Sequence, residues 1–422
     1  MTIMKIFMII KRVGSRGGTS VKVSSTTKEE RIITLDIIRG FALLGILFVN
    51  MSTFKSPVFQ RQSVLSELAA LPTGLLNQWS QFALDFFVVG KFYPMFSFLF
   101  GLGFYLFFER LQEKGLPANK LYQRRMVFLL IIGFIHLVFV WSGDILFTYA
   151  IAGFILLLFI HRGSKTILGW AIGLLVGSSL ITGFLSLIGN FFMTTQQGGA
   201  LEEQSRLAVS NAETIYSNGS YLEILGFRLS DEVPLVLSNL IITVPNVLGL
   251  FLIGLYVGKK GWMQQPSWFM SVWKRLFPIT LISGGLLSIL FASLNNGLLP
   301  LPAWFAAGAA SGLNIAAGPL LMLFYIATAM LLSQKRTNLF KPVAFVGQMA
   351  LTNYLLQSII CLFIFYGFGL QLYGTINVAT GLLITIVIYT AQLMLSSFWM
   401  GNYSQGPMEK LWRKWTYRNV IK

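Results

Sequence analysis

The stretch Arg31-Ile-Ile-Thr-Leu-Asp-Ile-Ile-Arg-Gly-Phe-Ala-Leu-Leu-Gly-Ile-Leu-Phe-Val-Asn50 is the first long apolar run of the chain. It has about the 20 residues that a helix needs to cross a bilayer. Asp36 and Arg39 stand three residues apart near its start, so they lie on one helix face and are expected to pair. Charges at a membrane edge face a partner, a cavity or water. Two interpretations of the pair stay open: a structural ion pair, and an anchor or gate on the cytoplasmic side.

Similar apolar runs follow along the whole sequence. The chain of 422 residues is 55% hydrophobic and 11% charged, with a mean hydropathy of +0.70, whereas soluble domains are about one quarter charged. Because a spanning backbone must satisfy its own hydrogen bonds, the sequence predicts an all-α, polytopic membrane helix bundle. About ten transmembrane helices are expected, at 33–54, 79–108, 126–142, 145–160, 166–189, 234–258, 276–298, 304–332, 343–368 and 376–398. The second contains Gly90, Lys91 and Pro94, so we expect it to be broken or re-entrant.

The net charge of +17 is distributed unevenly between the two sides. Segments assigned to the inner side hold 26 of the 32 Lys and Arg residues, and the bias alternates from loop to loop. Both termini are therefore predicted to be cytoplasmic. Basic clusters between apolar runs favour a lipid bilayer and anionic head groups or phosphates as partners, and no nucleic acid.

The domain organisation follows from the same pattern. Residues 1–30 are predicted to be a mobile, basic cytoplasmic tail, 31–398 a single transmembrane bundle, and 399–422 a cytoplasmic amphipathic segment. Residues 190–233 are acidic and are expected as an outer loop, either simply solvated, which we favour, or a lid over an acceptor site. With Cys361 as the single cysteine, no intrachain disulfide and no cysteine-based metal site is expected, and no metal is predicted.

His136 is the first candidate for chemistry, because an imidazole accepts and returns protons near neutral pH. Asp144 follows about two helical turns later at the predicted outer end, where its carboxylate can orient the imidazole. The competing interpretation is a buried histidine that hydrogen-bonds to a neighbouring helix. The two are about equally favoured, since ionisable groups at membrane depth are often functional.

Other polar residues in or beside the spans suggest a polar cavity. Asp85 and Lys91 can neutralise each other or line a cavity mouth, and Arg124 and Arg125 are topology anchors or phosphate ligands. The remaining candidates are amides, each of which favours interhelical hydrogen bonding over catalysis when taken alone: Asn50, Asn246, Asn353 and Gln357.

Several motifs carry a family resemblance. They are Leu35–Asn50, Gly90–Phe104, Trp141-Ser-Gly-Asp-Ile-Leu146, Gly347-Gln-Met-Ala-Leu-Thr-Asn-Tyr-Leu-Leu-Gln-Ser358 and Gly406-Pro-Met-Glu-Lys-Leu-Trp-Arg413. In this order they resemble YeiB-type bacterial membrane proteins, the family of domain of unknown function 418. That family is similar to the acyltransferase-3 and heparan-glucosaminide acetyltransferase superfamily, with its bundle of about ten helices. The resemblance implies a multi-pass protein of the bacterial plasma membrane and acyl transfer from cytoplasmic acyl-CoA, as a co-substrate, to an acceptor that is often a sugar.

The chain departs from that superfamily at the catalytic histidine. Acyltransferase-3 proteins carry a histidine where this chain has Asn50, eleven residues after Arg39. The heparan-glucosaminide enzymes use a histidine in the loop after the first span, and residues 51–78 contain none. If the chain is an acyltransferase, His136 takes the role of base or the transfer is direct.

Two functions from different classes follow as hypotheses. The first is a membrane acyltransferase in which acyl-CoA, not a tightly bound cofactor, enters near Arg39, Arg124 and Arg125. His136 and Asp144 deprotonate a hydroxyl or amine of an envelope glycan, lipid or small metabolite, and Asn50, Asn246 or Asn353 donates to the oxyanion. The second is a transporter of a small or amphipathic solute without covalent chemistry. The oligomeric state is left open, with a homodimer as one option.

Overall fold

Helices make up every regular element of residues 32–57, 72–194, 198–264, 266–336 and 339–418, the ranges that the computed structural model describes. The all-α prediction is confirmed. The first helices are α1 (Ile33–Lys55), α2 (Leu75–Phe87), α3 (Phe92–Glu113), α4 (Ala118–Ile135), α5 (Leu146–Leu156), α6 (Ser164–Met193) and α7 (Gly198–Asn218). They are followed by α8 (Tyr221–Phe227), α9 (Val233–Lys259), α10 (Pro266–Asn295), α11 (Ala303–Arg336), α12 (Lys341–Gln348), α13 (Ala350–Phe365), α14 (Val378–Asn402) and α15 (Pro407–Tyr417).

Eight helical segments in these ranges are long and apolar enough to cross a membrane. α12 and α13 make a ninth if the pair, bent by 84°, is counted as one span. The predicted span 145–160 corresponds to α5 and a following 3-10 turn, a shorter apolar helix of Leu146–Phe159. The predicted tail, 1–30, lies outside the described residues, and the sidedness of the termini stays a prediction.

The central helices differ from the peripheral ones in how much of their apolar surface other helices cover. In α1 and in the segment that ends with α9, 56% of the apolar window is buried, against 17% in α6. Within the unit Ile32–Thr416, α1 and α9 are therefore the centre. α6 leaves most of its apolar surface for lipid, because a helix that is apolar all round needs no second protein face in a bilayer.

Close backbone contacts bring α12 against the start of α1. A β carbon built on Gly347 would lie 1.9 Å from the carbonyl oxygen of Asp36, and one on Gly40 would lie 2.1 Å from that of Val343. Small residues allow this approach, which larger side chains would prevent. The two glycines belong to the first and fourth family motifs, so these motifs meet in space.

The break predicted in the second span is present. α2 ends at Phe87 and α3 begins at Phe92. Gly90 has a φ of +80°, and a β carbon there would lie 2.0 Å from Oδ1 of Asn314. Glycine is required on both grounds, since L side chains rarely adopt this φ.

The acidic segment 190–233 is helical where it is described, and not an irregular loop. It contains α7, α8 and a π-helical turn, Arg228–Glu232, that leads into α9. Ser220 begins α8 with a capping box, in which its side chain accepts from the Glu223 amide and Glu223 accepts from the Ser220 amide. The buried face of the acidic segment includes Tyr216, Ile224 and Phe227, which pack with Phe54 and Trp141.

Candidate active site

A π-helical turn ends the third apolar segment and positions His136. After α4 the turn runs from His136 to Val140, and Trp141 is extended. The chain then returns, and α5 begins at Leu146. This return, and not a continuous helix face as the sequence suggested, brings Asp144 to His136. π turns interrupt α-helices frequently at functional sites.

Asp144 holds His136 from one side. Oδ2 of Asp144 lies 2.8 Å from Nδ1 of His136, and Oδ1 accepts a hydrogen bond of 2.7 Å from the backbone N–H of Phe147. The side chains are 1% and 0% exposed. The predicted His136–Asp144 pair is therefore present and buried, with the carboxylate fixed by its neighbouring helix α5.

The second ring nitrogen of His136 meets a residue that the sequence reasoning missed. Nε2 of His136 lies 2.9 Å from Oγ of Ser358, in the middle of α13, 222 residues away along the chain. Ser358 is buried. Its one sequence signal was its place at the end of the motif Gly347–Ser358. The structure thus joins an Asp, a His and a Ser through both ring nitrogens, in the order known from hydrolytic triads.

Two aromatic side chains enclose this group. The Tyr354 ring, one helical turn before Ser358, has its centroid 5.3 Å from that of His136, and the Trp141 centroid lies 6.3 Å from it in an edge-to-face arrangement. The hydroxyl of Tyr354 is buried; the backbone N–H of Ile145 approaches its oxygen, and its proton has no acceptor. Trp141 stacks on Phe54 of α1 at 4.1 Å. The site is closed in this conformation.

Two side chains of the acidic segment donate hydrogen bonds to the π-helical turn His136–Val140. Arg228 is fully buried and its Nη1 donates to the carbonyl of Val138 over 3.1 Å, while the Tyr221 hydroxyl donates to that of Phe139 over 2.8 Å. A π turn leaves carbonyls without α-helical partners, and these bonds satisfy them. The acidic segment is therefore packed onto the backbone that carries His136.

A cavity of about 10 Å³ is lined in part by Trp141. Ser142, Tyr216 and Glu232 are among its polar lining residues, and the Tyr216 hydroxyl donates to Glu232 over 2.7 Å. This volume suits a single water molecule. Trp141 lines this cavity and also contacts the His136 ring, so it lies between His136 and the polar lining groups.

The charged residues of the predicted inner side lie apart from the His136 group. Nη1 of Arg39 donates to Oδ1 of Asp36 over 2.9 Å, which confirms the expected pair, and the Arg39 side chain stays 29% exposed. Nη2 of Arg39 would lie 3.7 Å from a β carbon on Gly103 of α3. The pair therefore lies within α1, with the guanidinium beside α3 and partly exposed.

Arg124 and Arg125 connect α4 to α15. Their backbone carbonyls accept from the indole N–H groups of Trp415 and Trp412, over 3.1 and 3.0 Å. The guanidinium of Arg125 lies 3.9 Å from the ring centroid of Trp412 and 5.1 Å from that of Phe107. The amphipathic segment predicted at 399–422 thus contains a helix that is docked on the bundle.

A carboxylate of α15 also caps the N-terminus of α13. Oε1 of Glu409 accepts from the backbone N–H groups of Leu351 and Thr352, and Oε2 accepts from the Thr352 hydroxyl over 2.6 Å. A β carbon on Gly406 would lie 2.1 Å from Oε2 of Glu409. An anionic side chain at a helix N-terminus is favourable, and here it stabilises the helix that carries Ser358.

Asp85 and Lys91 form a second buried polar cluster beside the break in the second span. Nζ of Lys91 donates to the backbone carbonyl of Asp85 over 2.7 Å, not to its carboxylate. The carboxylate accepts from the amides of Asn295 and Asn296 at 2.8 Å, and from that of Gln81 at 3.1 Å. The two charges are near each other but are satisfied mainly by neutral groups.

The predicted amides bridge helices. Asn353 donates to the Val346 carbonyl and to the Ser396 hydroxyl, and Gln357 donates to Gln392 of α14. Asn246 accepts from the Tyr93 hydroxyl over 3.2 Å. Asn50 is half-buried on α1. These hydrogen bonds go to other helices and not to His136, so none of the three predicted oxyanion donors is joined to the His136 group by a described hydrogen bond.

No cluster in the described ranges has three or more His, Cys, Asp or Glu side chains placed to hold a metal ion. The cationic groups that can meet a phosphate of a co-substrate are Arg39, Arg124 and Arg125. Arg125 precedes His136 by eleven residues on α4, which is about 16 Å along a helix. Arg125 and the His136 group therefore lie at separate levels of the bundle.

Comparison with known proteins agrees with the motifs. The profile of DUF418, described as a protein of unknown function, matches residues 257–419. The uncharacterised protein YxaH of Bacillus subtilis is 34% identical over 413 residues, which cover 93% of this chain and 96% of the relative. The uncharacterised protein YeiB of Escherichia coli is 27% identical, over 92% of this chain and 97% of the relative. The chain is a helical, membrane-type protein that belongs to the DUF418 family.

Proposed function

We propose that this protein is a bacterial plasma-membrane acyltransferase. It moves an acyl group from cytoplasmic acyl-CoA to a hydroxyl or amine of an envelope glycan, a lipid or a small metabolite. The observation that carries the proposal is the buried Asp144–His136 pair, whose second ring nitrogen lies 2.9 Å from the Ser358 hydroxyl. An oriented imidazole of this kind is the usual base in acyl transfer.

The charges of the inner side support the direction of transfer. Arg39, Arg124 and Arg125 offer cations to the phosphates of CoA, since guanidinium groups pair well with phosphate. The acyl thioester, at the end of the pantetheine arm, then extends along α4 towards His136. The acceptor approaches from the opposite end, where Trp141 and the cavity beside it lie.

The test uses purified protein in lipid nanodiscs and the release of CoA thiol from a panel of acyl-CoA compounds. The only cysteine, Cys361, is buried, so a thiol reagent has a low background. We expect His136→Ala to lose turnover by roughly 10²–10⁴-fold, the range for a general base. His161→Ala is the matched control, since His161 is the other histidine and is exposed. Unchanged turnover of His136→Ala would remove His136 from the mechanism.

Binding is measured separately from turnover. A ligand that binds the folded protein raises its unfolding temperature, so a thermal shift with acyl-CoA tests donor recognition even without the right acceptor. Arg39→Gln and Arg124→Gln are expected to weaken that shift. The absence of a shift at saturating acyl-CoA would contradict the proposal.

A transporter is the second candidate, and the break between α2 and α3 favours it. Interrupted helices with buried ionisable residues line substrate sites in many transporters, and Asp85 and Lys91 are both buried beside this break. Solute flux into proteoliposomes without acyl-CoA, lost in Lys91→Met, would decide for transport. Flux that needs acyl-CoA would decide against it.

A further inference from the structure

We propose that Ser358 is a nucleophile that carries the acyl group as an ester between donor and acceptor, with Tyr354 as the oxyanion donor. The inference rests on the proposed acyl transfer and adds a covalent step to it. The shared chemistry of the donor is an acyl carbonyl with a good leaving group, presented as a CoA thioester or as a lipid ester.

The proton positions follow from Asp144. Oδ1 of Asp144 already accepts from the Phe147 N–H, and Oδ2 lies 2.8 Å from Nδ1 of His136. An ionised carboxylate only accepts hydrogen bonds, so Nδ1 carries the ring proton. Nε2 of the neutral ring is then the acceptor, and the hydroxyl of Ser358 must donate to it. The proton of Ser358 therefore already points at the base.

Several other helical hydroxyl groups of this chain bond to their own helix, whereas Ser179 donates to the Gly312 carbonyl of another helix. Ser97, Thr385 and Thr416 donate to the carbonyl four residues earlier over 2.9, 2.9 and 2.8 Å. This is the common local bond of helical Ser and Thr. The equivalent distance from Ser358 to the Tyr354 carbonyl is 3.5 Å, and the short bond goes to His136 instead. Ser358 is thus turned from its own helix towards an imidazole.

Tyr354 supplies the remaining element of acyl-transfer chemistry. Its hydroxyl is buried and its proton has no acceptor in the structure, which is unfavourable for a buried donor. It lies on the same helix as Ser358, one turn away, with its ring against His136. A negatively charged oxygen of a tetrahedral intermediate is an acceptor of the kind that this proton lacks. Tyr354 takes the role that the sequence assigned to Asn50, Asn246 or Asn353.

The covalent cycle balances with donor and acceptor alone. First, Oγ of Ser358 bonds to the acyl carbon and its proton passes to Nε2 of His136. The bond from the acyl carbon to the leaving sulfur of CoA, or to the leaving oxygen of a lipid ester, breaks, and the leaving thiolate or alkoxide takes that proton. Then the acceptor loses a proton to Nε2 and bonds to the acyl carbon, the bond to Oγ breaks, and Oγ regains the proton. Donor and acceptor therefore use the buried site in turn, from opposite ends of the bundle.

The adduct itself is the primary test. Wild-type protein is incubated with acyl-CoA or with vesicles of an isotopically labelled acyl phospholipid, without acceptor, then quenched in acid and measured by intact mass. We expect one added acyl group, labile to hydroxylamine and located at Ser358 by peptide mapping. The arm that produces it identifies the donor. Ser97→Ala is the matched control, because Ser97 is also a buried helical serine that bonds to another helix, and it is expected to keep the adduct.

Variants separate this inference from the proposed function. We expect Ser358→Ala to lose the adduct and roughly 10²–10⁴-fold in turnover, Ser358→Cys to form a thioester adduct, and Tyr354→Phe to lose turnover while keeping its fold. Turnover by Ser358→Ala at the wild-type rate, with no adduct on wild type, would overturn the inference and leave direct acyl transfer standing.

If wild type consumes neither donor, a fluorophosphonate probe decides, because it labels an activated serine whatever the substrate is. Labelling at Ser358, lost in His136→Ala, would retain the nucleophile and refute the acyl-CoA function. No labelling of Ser358 in the folded wild-type protein would overturn the inference.

Discussion

Two buried carboxylates, Asp144 and Asp85, are satisfied in different ways. Asp144 accepts from one backbone N–H and one imidazole, and the imidazole continues to a hydroxyl. Asp85 accepts from three side-chain amides, with the ammonium of Lys91 on its own backbone carbonyl. Both lie at or near a break in a helical segment and both are closed to water.

The difference decides what each cluster can do. Amide groups donate hydrogen bonds but do not act as acids or bases near neutral pH, whereas an imidazole both accepts and returns protons. The hydrogen bonds around Asp85 hold α2 against the end of α10 and give a fixed structure. Those around Asp144 orient the imidazole of His136, whose other nitrogen contacts Ser358. The same residue type is therefore a structural anchor in one place and an orienting group in the other.

The largest expected effect separates the two carboxylates by activity. Asp144→Asn keeps the size of the side chain, but an amide can donate to Nδ1 and stabilise the wrong tautomer of His136. We expect turnover with acyl-CoA to fall by roughly 10²–10⁴-fold. Asp85→Asn is the isosteric control and should keep most of the activity. Equal losses in both variants would break the distinction between the clusters.

The second-largest expected effect distinguishes Asp85 from Asp144 by its contribution to the free energy of unfolding. Asp85→Ala leaves three amides without an acceptor and Lys91 buried without its nearby anion, so we expect a loss of about 3–5 kcal/mol in unfolding free energy. Reversible unfolding in mixed micelles measures it. Adding Lys91→Met should recover part of the loss, because the unpaired buried cation is removed. Independent, additive effects of the two changes would show that Lys91 does not interact with Asp85.

Glu409 tests the support of the active-site helix. Glu409→Gln removes the negative charge at the start of α13 and weakens its hydrogen bonds to Leu351 and Thr352, so we expect a loss of about 1–2 kcal/mol. Hydrogen exchange of the first turn of α13 should increase, since these amides lose their charged acceptor. Unchanged exchange there would mean that Glu409 does not stabilise the turn in solution.

The smallest effect concerns the contact between α15 and α4. Trp415→Phe removes one indole N–H donor to the Arg124 carbonyl and keeps an aromatic ring, with an expected cost of about 1 kcal/mol. Trp412→Phe removes the corresponding bond to Arg125 and also weakens the cation–π contact, so it should cost slightly more. The unfolding free energies of the two variants provide the comparison, and the reverse order would contradict this assignment.

The sequence predicted the features that depend on local pattern. Continuous apolar runs gave the helices, Gly90 and Pro94 marked the break in the second span, and the spacing of Asp36 and Arg39 gave their ion pair. His136 and Asp144 were correctly grouped, although the route was a return of the chain and not a helix face. Helices in the acidic segment were missed, because its polar composition hides a buried face that faces protein.

Ser358 was missed for a different reason. It is separated from His136 by 222 residues, and no local pattern distinguishes a serine that bonds to its own helix from one that bonds to a distant ring. The role of Glu409 was hidden in the same way, since its partners are 57 and 58 residues earlier. Both residues nevertheless lie in motifs quoted for the family resemblance, and those motifs were the one sequence signal that included them.

The contact of Glu409 with α13 has a consequence for biogenesis. The ribosome completes Leu351 and Thr352 well before it reaches Glu409, so the first turn of α13 is inserted with amides that still lack their carboxylate. Only when α15 folds back does that turn become fully bonded, and with it the helix that presents Ser358 to His136. A chain truncated before Glu409 would thus keep its apolar helices but lack the carboxylate that caps α13, so α15 is needed to complete the helix that holds Ser358 against His136.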